Sequence, residues 1–121
     1  MKNKKITIDV QYCTIDNWKW LQFTGISEGH ICATATVYFF DDVNKSPELC
    51  NMFVNKAFRQ EGIGNKILKT VREQLKTYNR PVNLHCKFDS IAHQWYLRAG
   101  FIEIGEIVDG EIYMIDNHKN K

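Results

Sequence analysis

The hydrophobic period of this sequence changes at Gly62-Ile63-Gly64, which limits the chain to folds that combine strands with helices. Before this point, segments such as 5–15 (KITIDVQYCTI) alternate apolar and polar residues, as half-buried strands do. After it, aliphatic residues recur at every fourth position, as in an amphipathic helix: Ile63, Ile67, Val71 and Leu75. Two glycines at the change indicate that the backbone turns sharply there or approaches another group closely.

Length and composition fit one globular domain. The chain has 121 residues, 44% of them hydrophobic and 25% charged, and we expect a single domain over 1–121 with a frayed tail at about 117–121. The net charge of +2 is too small to indicate a nucleic-acid partner. The four cysteines form no CxxC pair, so we expect free thiols in a reducing compartment and no metal site. No signal peptide or membrane-length apolar run is present, which predicts a cytoplasmic protein without a membrane partner.

Periodicity and turn signals predict the element order β-β-β-β-α-β-α-β-β. We expect a strand at 48–54 (ELCNMFV), a helix at 62–78 and a strand at 82–88, which together form one crossover unit with parallel strands. A second helix is predicted at 91–99, before a final hairpin. The chain is therefore predicted to be an α/β domain with a mixed sheet of about seven strands and two main helices.

The paired glycines are suited to an anion site. Without side chains at Gly62 and Gly64, an anion could reach the unpaired N–H groups at the start of the helix, where the helix dipole adds positive charge. A nucleotide triphosphate loop would need Gly-Lys-Ser/Thr, whereas Gly64 is followed by Asn65-Lys66-Ile67. A dinucleotide fingerprint would need a third glycine in place of Ile67. The residues alone leave a phosphate cradle and a plain turn as open alternatives.

Two separated motifs resemble those of the GCN5-related N-acetyltransferase (GNAT) superfamily. Residues 59–64 (RQEGIG), within the segment 52–68 (MFVNKAFRQEGIGNKIL), are similar to its Arg/Gln-x-x-Gly-x-Gly/Ala loop. Residues 92–101 (AHQWYLRAGF) are similar to its Ala-x-x-x-Tyr-x-x-x-Gly-Phe signature. The predicted element order from 30 to 116 also matches the core of that family. The resemblance implies an acyl-CoA N-acyltransferase fold with a twisted, mostly antiparallel sheet.

The resemblance also implies an activity, a cosubstrate and a binding site. It predicts an acetyl-CoA-dependent N-acetyltransferase that transfers an acetyl group to a primary amine by direct attack, without a metal. The pantetheine arm of the cosubstrate would pair with Met52, Phe53 and Val54, in a gap between strands 48–54 and 82–88. The other positions that correspond to CoA contacts are Arg59, Gln60, Glu61, Gly62, Ile63, Gly64, Asn65 and Asp89.

The position of Tyr96 matches the tyrosine of the family, which implies a general acid that protonates the departing thiolate. Its spacing along the helix also fits an aromatic residue of the core. Asp89 or Ser90 is expected to cap the helix 91–99. A lone Cys86 without a partnered histidine gives little support to an acyl-cysteine route. The general base is not determined, and a water relay would need none; the candidates are Glu48, His85, Asp89, Glu28 and His30.

The sequence departs from the family on the acceptor side. Only 13–17 (CTIDN) separates the first two predicted strands, where the family has two helices that wall the acceptor site. This implies either an open site for an acceptor that is a small molecule, peptide or protein, or a partner such as a second copy of the chain. The alternative functions are a non-catalytic CoA-binding or partner-binding module and a structural domain without a CoA site. Several aromatic residues could stack on nucleic-acid bases, but Lys and Arg do not interleave with them, which favours a β-rich core: Trp18, Trp20, Phe23, Tyr38 and Phe39.

Overall fold

Three antiparallel strands form the first third of the chain. The computed structural model describes residues 5–42, 44–59, 62–78 and 80–117, so most of the predicted tail lies outside the described residues. The strands are β1 (Ile6–Ile15), β2 (Trp18–Ser27) and β3 (His30–Phe39). The turn between β1 and β2 is tight, with Asp16 in the left-handed conformation (φ 53°) that aspartate tolerates better than most residues.

The rest of the chain alternates strands and helices in the predicted order. The elements are β4 (Glu48–Val54), α1 (Ile63–Gln74), β5 (Asn83–Lys87), α2 (Ile91–Arg98), β6 (Phe101–Val108) and β7 (Glu111–Asp116), with a 3₁₀ turn at Lys56–Phe58. The sheet order is β1-β2-β3-β4-β5-β7-β6, and β4 and β5 run parallel. This confirms the predicted α/β class, with a mixed, mostly antiparallel sheet of seven strands and two main helices. No helix in the described part of the chain is long and apolar enough to cross a membrane.

Helix α1 is shorter than predicted, because it ends at Gln74 rather than at residue 78. The N–H of Leu75 still donates to the Val71 carbonyl (3.1 Å), but Leu75 leaves the helical conformation. Tyr78 then closes a turn and stacks on Phe39, with 5.1 Å between the ring centroids. Leu75 is the last residue of the apolar stripe, so a longer helix would have added no core contact.

Both helices contribute to one core on the same face of the sheet. The apolar stripe of α1 packs over β1 to β4, whereas α2 packs over β5 and β6. The two helices touch where Gly64 of α1 meets Trp95 of α2. The largest fully buried side chains include members from both halves of the chain: Phe23, Val37, Ile63, Ile67, Leu68, Leu84, Phe101 and Met114.

The opposite side of the sheet, which we call the open face, is not covered by a helix in the described residues. The strand register places on it the side chains that alternate with core residues, among them Trp18, Trp20, Tyr38, Glu48, His85, Glu111 and Tyr113. Tyr38 contacts both Trp18 and Trp20, with 6.1 Å between the ring centroids in each pair. The open face therefore combines an aromatic cluster on β2 and β3 with charged groups on β4, β5 and β7.

The parallel strands β4 and β5 separate soon after they meet. Glu48 and Asn83 are the one registered pair between them in the described residues, and the Asn83 N–H donates to the Pro47 carbonyl (2.9 Å). From this point β4 continues to Val54 with its other edge still paired to β3. A gap therefore opens in the middle of the sheet, closed at Glu48 and Asn83 and wider towards the start of α1.

Candidate active site

A bulge in β4 lies along the gap. On the β3 side, Thr34 pairs with Phe53 and Thr36 with Cys50, so β4 holds one more residue than β3 over this stretch. Asn51 takes the left-handed conformation there (φ 55°), which changes the direction of the strand. The residues predicted to pair with pantetheine follow directly, with Met52 and Val54 packed against the core and Phe53 55% exposed.

Tyr96 of α2 belongs to the core and interacts electrostatically with a cysteine on each of the two strands beside the gap. Its side chain is buried, and its ring makes edge contacts with Trp95 (5.1 Å) and Phe101 (5.3 Å). Among the described residues, no group forms a hydrogen bond with its hydroxyl. Tyr96 thus packs as a core aromatic, as its helical spacing predicts, while it keeps a hydroxyl with no partner in the described part of the chain.

The surroundings of Tyr96 favour its neutral form. Burial raises the pKa of Tyr96 well above its ordinary value, and Cys86 and Cys50 add to the rise. Because Cys50 belongs to β4 and Cys86 to β5, the phenol lies within electrostatic reach of both sides of the gap. A protonated phenol in this position can donate a proton but cannot act as a base near neutral pH.

Both thiols beside the gap are also held in their neutral form. Burial, and to a smaller extent the Glu48 carboxylate, raises the pKa of Cys50 to about 11. Burial is also the main cause that raises the pKa of Cys86, followed by Glu111 and Glu103. A thiol is a poor nucleophile until it is ionised, so neither residue is activated for an acyl-cysteine route.

Two of the candidate bases meet on the open face at the closed end of the gap. His85 Nε2 lies 3.4 Å from Glu48 Oε2, and His85 Nδ1 lies 2.5 Å from Glu111 Oε1. The imidazole also packs on the Tyr113 ring, with 5.1 Å between centroids. No sequence pattern indicated Glu111 as part of this group, because its contact with His85 depends on the register between β5 and β7. The expected hairpin pairs β7 with β6 but does not indicate that β5 lies on the other side of β7.

The remaining candidate bases lie elsewhere. Glu28 and His30 occupy the β2–β3 turn, where His30 Nδ1 contacts the Glu28 carbonyl (3.3 Å). Asp89 has a left-handed backbone (φ 65°), and its N–H donates to His93 Nδ1 (2.8 Å). The side chain that caps α2 is Ser90, whose hydroxyl accepts from the His93 N–H (3.1 Å), so of the two predicted caps Ser90 is correct.

The N-terminus of α1 is open to an anion. Gly62 takes the left-handed conformation (φ 78°), and a Cβ placed on it would meet no atom within 4 Å. The first helical bond runs from the Lys66 N–H to the Gly62 carbonyl (3.0 Å), so the N–H groups of Ile63, Gly64 and Asn65 precede it. Gly62 offers no side chain to cap this end, and the Ile63 side chain is buried in the core.

Gly64 has a packing role that the motif did not predict. A Cβ at this position would lie 3.1 Å from Cζ2 of Trp95, so the glycine allows α1 and α2 to approach each other. Arg59 lies on the other side of the loop, where its Nε donates to the Val54 carbonyl (3.1 Å) at the end of β4. The two other residues predicted to contact CoA in this loop, Gln60 and Glu61, lie outside the described residues.

No cluster of three or more His, Cys, Asp or Glu that could hold a metal occurs in the described ranges. A cavity of about 380 Å³ lies away from the gap, between the ends of β1 to β3 and the segment after α1. Its lining includes Tyr12, Phe39 and Tyr78, but neither Tyr96 nor His85. The gap is thus an opening between strands rather than part of this cavity.

A comparison with known protein families identifies the family of this chain. Residues 20–103 match the family described as "Acetyltransferase (GNAT) domain", which is more than half of the sequence. The chain belongs to the GNAT family. Membership in this family confirms the resemblance of the two motifs and identifies the chain as an acyltransferase.

Solved structures of several other proteins share the fold. Escherichia coli ElaA matches with a TM-score of 0.69 and 21% identity over 81% of this chain and 68% of that one. A GNAT-family acetyltransferase from Staphylococcus aureus Mu50 matches with a TM-score of 0.68 and 24% identity over 83% of this chain and 69% of that one. The ribosomal-protein-S18-alanine N-acetyltransferase from Escherichia coli matches with a TM-score of 0.67 and 21% identity over 85% of this chain and 70% of that one. These identities establish the fold alone, and a search of curated proteins finds no match.

Proposed function

We propose that this GNAT domain is an acetyl-CoA-dependent N-acetyltransferase that acts on a primary amine within the β4–β5 gap. The observation that carries the proposal is Tyr96, a buried and neutral phenol within electrostatic reach of Cys50 on β4 and Cys86 on β5. A group with this protonation state, at the place where two parallel strands part, is suited to donate a proton to a leaving sulfur.

The cosubstrate would be held by the free edge of β4 and the start of α1. Met52, Phe53 and Val54 have no strand partner on the β5 side among the described residues, so their backbone groups can pair with an extended amide-containing arm. The N–H groups at the start of α1 would bind the pyrophosphate, with Gly62 leaving room for its approach. When bound, acetyl-CoA supplies the activated thioester.

The two proton transfers would take place on opposite faces of the sheet. Tyr96 lies on the core side and would protonate the departing thiolate. Glu48 and His85 lie on the open face, where either could take the proton that an ammonium must lose before it attacks. A backbone N–H of the bulged strand β4 could stabilise the oxyanion of the tetrahedral intermediate. No step requires a metal or a covalent acyl-enzyme.

The acceptor would enter from the open face, because helices occupy the other one. The uncovered surface suits a peptide, a protein or a small amine, or it could pack against a second copy of the chain. Cys13, Cys50 and Cys86 are free thiols, which supports the proposal that the protein works in the cytoplasm.

The proposal is tested by thiol release from acetyl-CoA in the presence of small amines and lysine-containing peptides. We expect amine-dependent release above the buffer rate, and a thermal shift on addition of CoA. A thermal shift without turnover for any amine would favour the non-catalytic CoA-binding module, and the absence of both would favour a structural domain.

A matched pair of glycine variants separates the cradle from a plain turn. Gly62→Val and Gly29→Val both place a Cβ in open space on a left-handed backbone (φ 78° and 79°), so both carry a similar local strain. We expect Gly62→Val to weaken CoA binding at least tenfold, whereas Gly29→Val, in the β2–β3 turn, leaves it unchanged. Equal affinities in the two variants would refute the cradle.

A further inference from the structure

The imidazole of His85 has a carboxylate next to each of its nitrogens. Glu111 Oε1 lies 2.5 Å from Nδ1, which is hydrogen-bonding distance, whereas Glu48 Oε2 lies 3.4 Å from Nε2. An ionised carboxylate only accepts hydrogen bonds, so the short contact requires a proton on Nδ1. In the neutral imidazole the lone pair is then on Nε2, facing Glu48.

The groups around His85 come from three strands. Glu48 belongs to β4, Glu111 and Tyr113 belong to β7, and Lys87 lies two residues further along β5, directly opposite Glu111. Glu48 also marks the closed end of the gap, where it pairs with Asn83. The His85 side chain is 43% exposed, so a proton that it takes up can pass on to water.

We propose that Glu111 is a positioning residue: it holds His85 with its proton on Nδ1 and thereby presents the Nε2 lone pair to the amine that enters from the open face. This inference rests on the proposed acetyl transfer and adds to it the choice of nitrogen and the residue that makes the choice. Without Glu111, the nearest carboxylate would be Glu48, which would draw the proton to Nε2 and remove the lone pair from the gap.

The proton transfer balances without a further reactant. One N–H bond of the acceptor ammonium breaks, and its electron pair stays on the amine nitrogen. A new N–H bond forms with the Nε2 lone pair of His85, directly or through one water molecule. The resulting imidazolium lies between Glu48 and Glu111, which offset its charge, and it returns the proton to solvent before the next turnover.

The tautomer is measured by ¹⁵N NMR of histidine-labelled protein at about pH 8.5, where an ordinary imidazole, with a pKa of about 6.5, is neutral. This measurement needs neither acetyl-CoA nor an amine, and a His85→Gln variant assigns the signals. We expect Nδ1 to be protonated and Nε2 unprotonated in the wild-type protein. In Glu111→Ala we expect the proton on Nε2, and in the control Glu106→Ala, which removes an exposed carboxylate of β6, we expect no change.

Kinetics then connect the tautomer with catalysis. We expect Glu111→Ala to lower kcat/KM for the amine by about 10- to 10²-fold, below the full effect of a general base, with an unchanged KM for acetyl-CoA. Glu111→Gln retains a carbonyl acceptor for Nδ1–H and should recover most of the loss.

The inference is overturned if wild-type His85 carries its proton on Nε2 or on both nitrogens, or if Glu111→Ala leaves the tautomer unchanged. It is also overturned if the tautomer changes while kcat/KM does not. If no amine is acetylated at all, the proposed function fails, and the NMR result still decides separately whether Glu111 sets the tautomer.

Discussion

Replacing Tyr96 with phenylalanine removes one oxygen atom and leaves the ring where it is. The ring contacts with Trp95 and Phe101 remain, and the hydroxyl has no hydrogen bond to lose among the described residues, so folding stability should change by less than about 1 kcal/mol. A positioned general acid contributes about 10²- to 10⁴-fold to the rate, which equals about 2.7–5.4 kcal/mol at 1.36 kcal/mol per factor of ten. We therefore expect kcat to fall by that factor in a thiol-release assay.

The pH dependence of Tyr96→Phe provides a second check. Because the pKa of Tyr96 is raised above its ordinary value of 10, the phenol stays protonated between about pH 6 and 9, and deprotonation would remove it only above that range. The variant should thus be slower than the wild type by the same factor across this interval. Tyr78→Phe, which stacks on Phe39 away from the gap, is the control. A Tyr96→Phe enzyme within twofold of the wild-type kcat would refute the role of general acid.

Three further predictions concern packing and thiol chemistry. Gly64→Val should lower the free energy of unfolding in urea by about 1–3 kcal/mol, because its side chain would overlap Trp95; an unchanged midpoint would contradict that packing. Arg72→Met should lower the free energy of unfolding by about 3–5 kcal/mol, because the Arg72 and Asp116 side chains are only 12% and 8% exposed and form an ion pair with two hydrogen bonds. A loss below about 1 kcal/mol would mean that the pair adds little to stability. Because the pKa of Cys50 is raised to about 11, its thiol should react with iodoacetamide far more slowly than free cysteine at pH 8, and faster as the pH approaches about 11. The Cys50→Ser enzyme should remain active, since the proposed reaction does not use this thiol.

Much of the fold follows from short-range patterns. Alternation in 5–15 predicts a strand because one side of it packs against the core, and the fourfold spacing from Ile63 to Val71 predicts the helix that covers this part of the sheet. The end of α1 was predicted too late, since Lys76 and Thr77 are compatible with a helix and only the missing core contact ends it at Gln74.

The site was predictable only in part, because its contacts join distant segments. The loop at Gly62 and the position of Tyr96 are visible as motifs. The contact between Gly64 and Trp95 depends on how two helices pack, and the bulge at Asn51 depends on the register between β3 and β4. Neither of these carries a local signal in the sequence.

The group formed by Glu48, His85 and Glu111 shows the same limit. Two of its members, Glu48 and His85, were among the candidate bases. Their meeting requires β5 to lie between β4 and β7, an order that the chain does not follow in sequence. A sequence pattern suggests which side chains can do chemistry, and the strand order decides which of them come together.

A crystal structure of the protein with CoA would show whether acetyl transfer takes place between β4 and β5. We expect the pyrophosphate at the N–H groups of Ile63 to Asn65, the pantetheine along Met52 to Val54, and the sulfur within hydrogen-bonding distance of the Tyr96 hydroxyl. CoA bound elsewhere on the protein, or a sulfur out of reach of Tyr96, would contradict it.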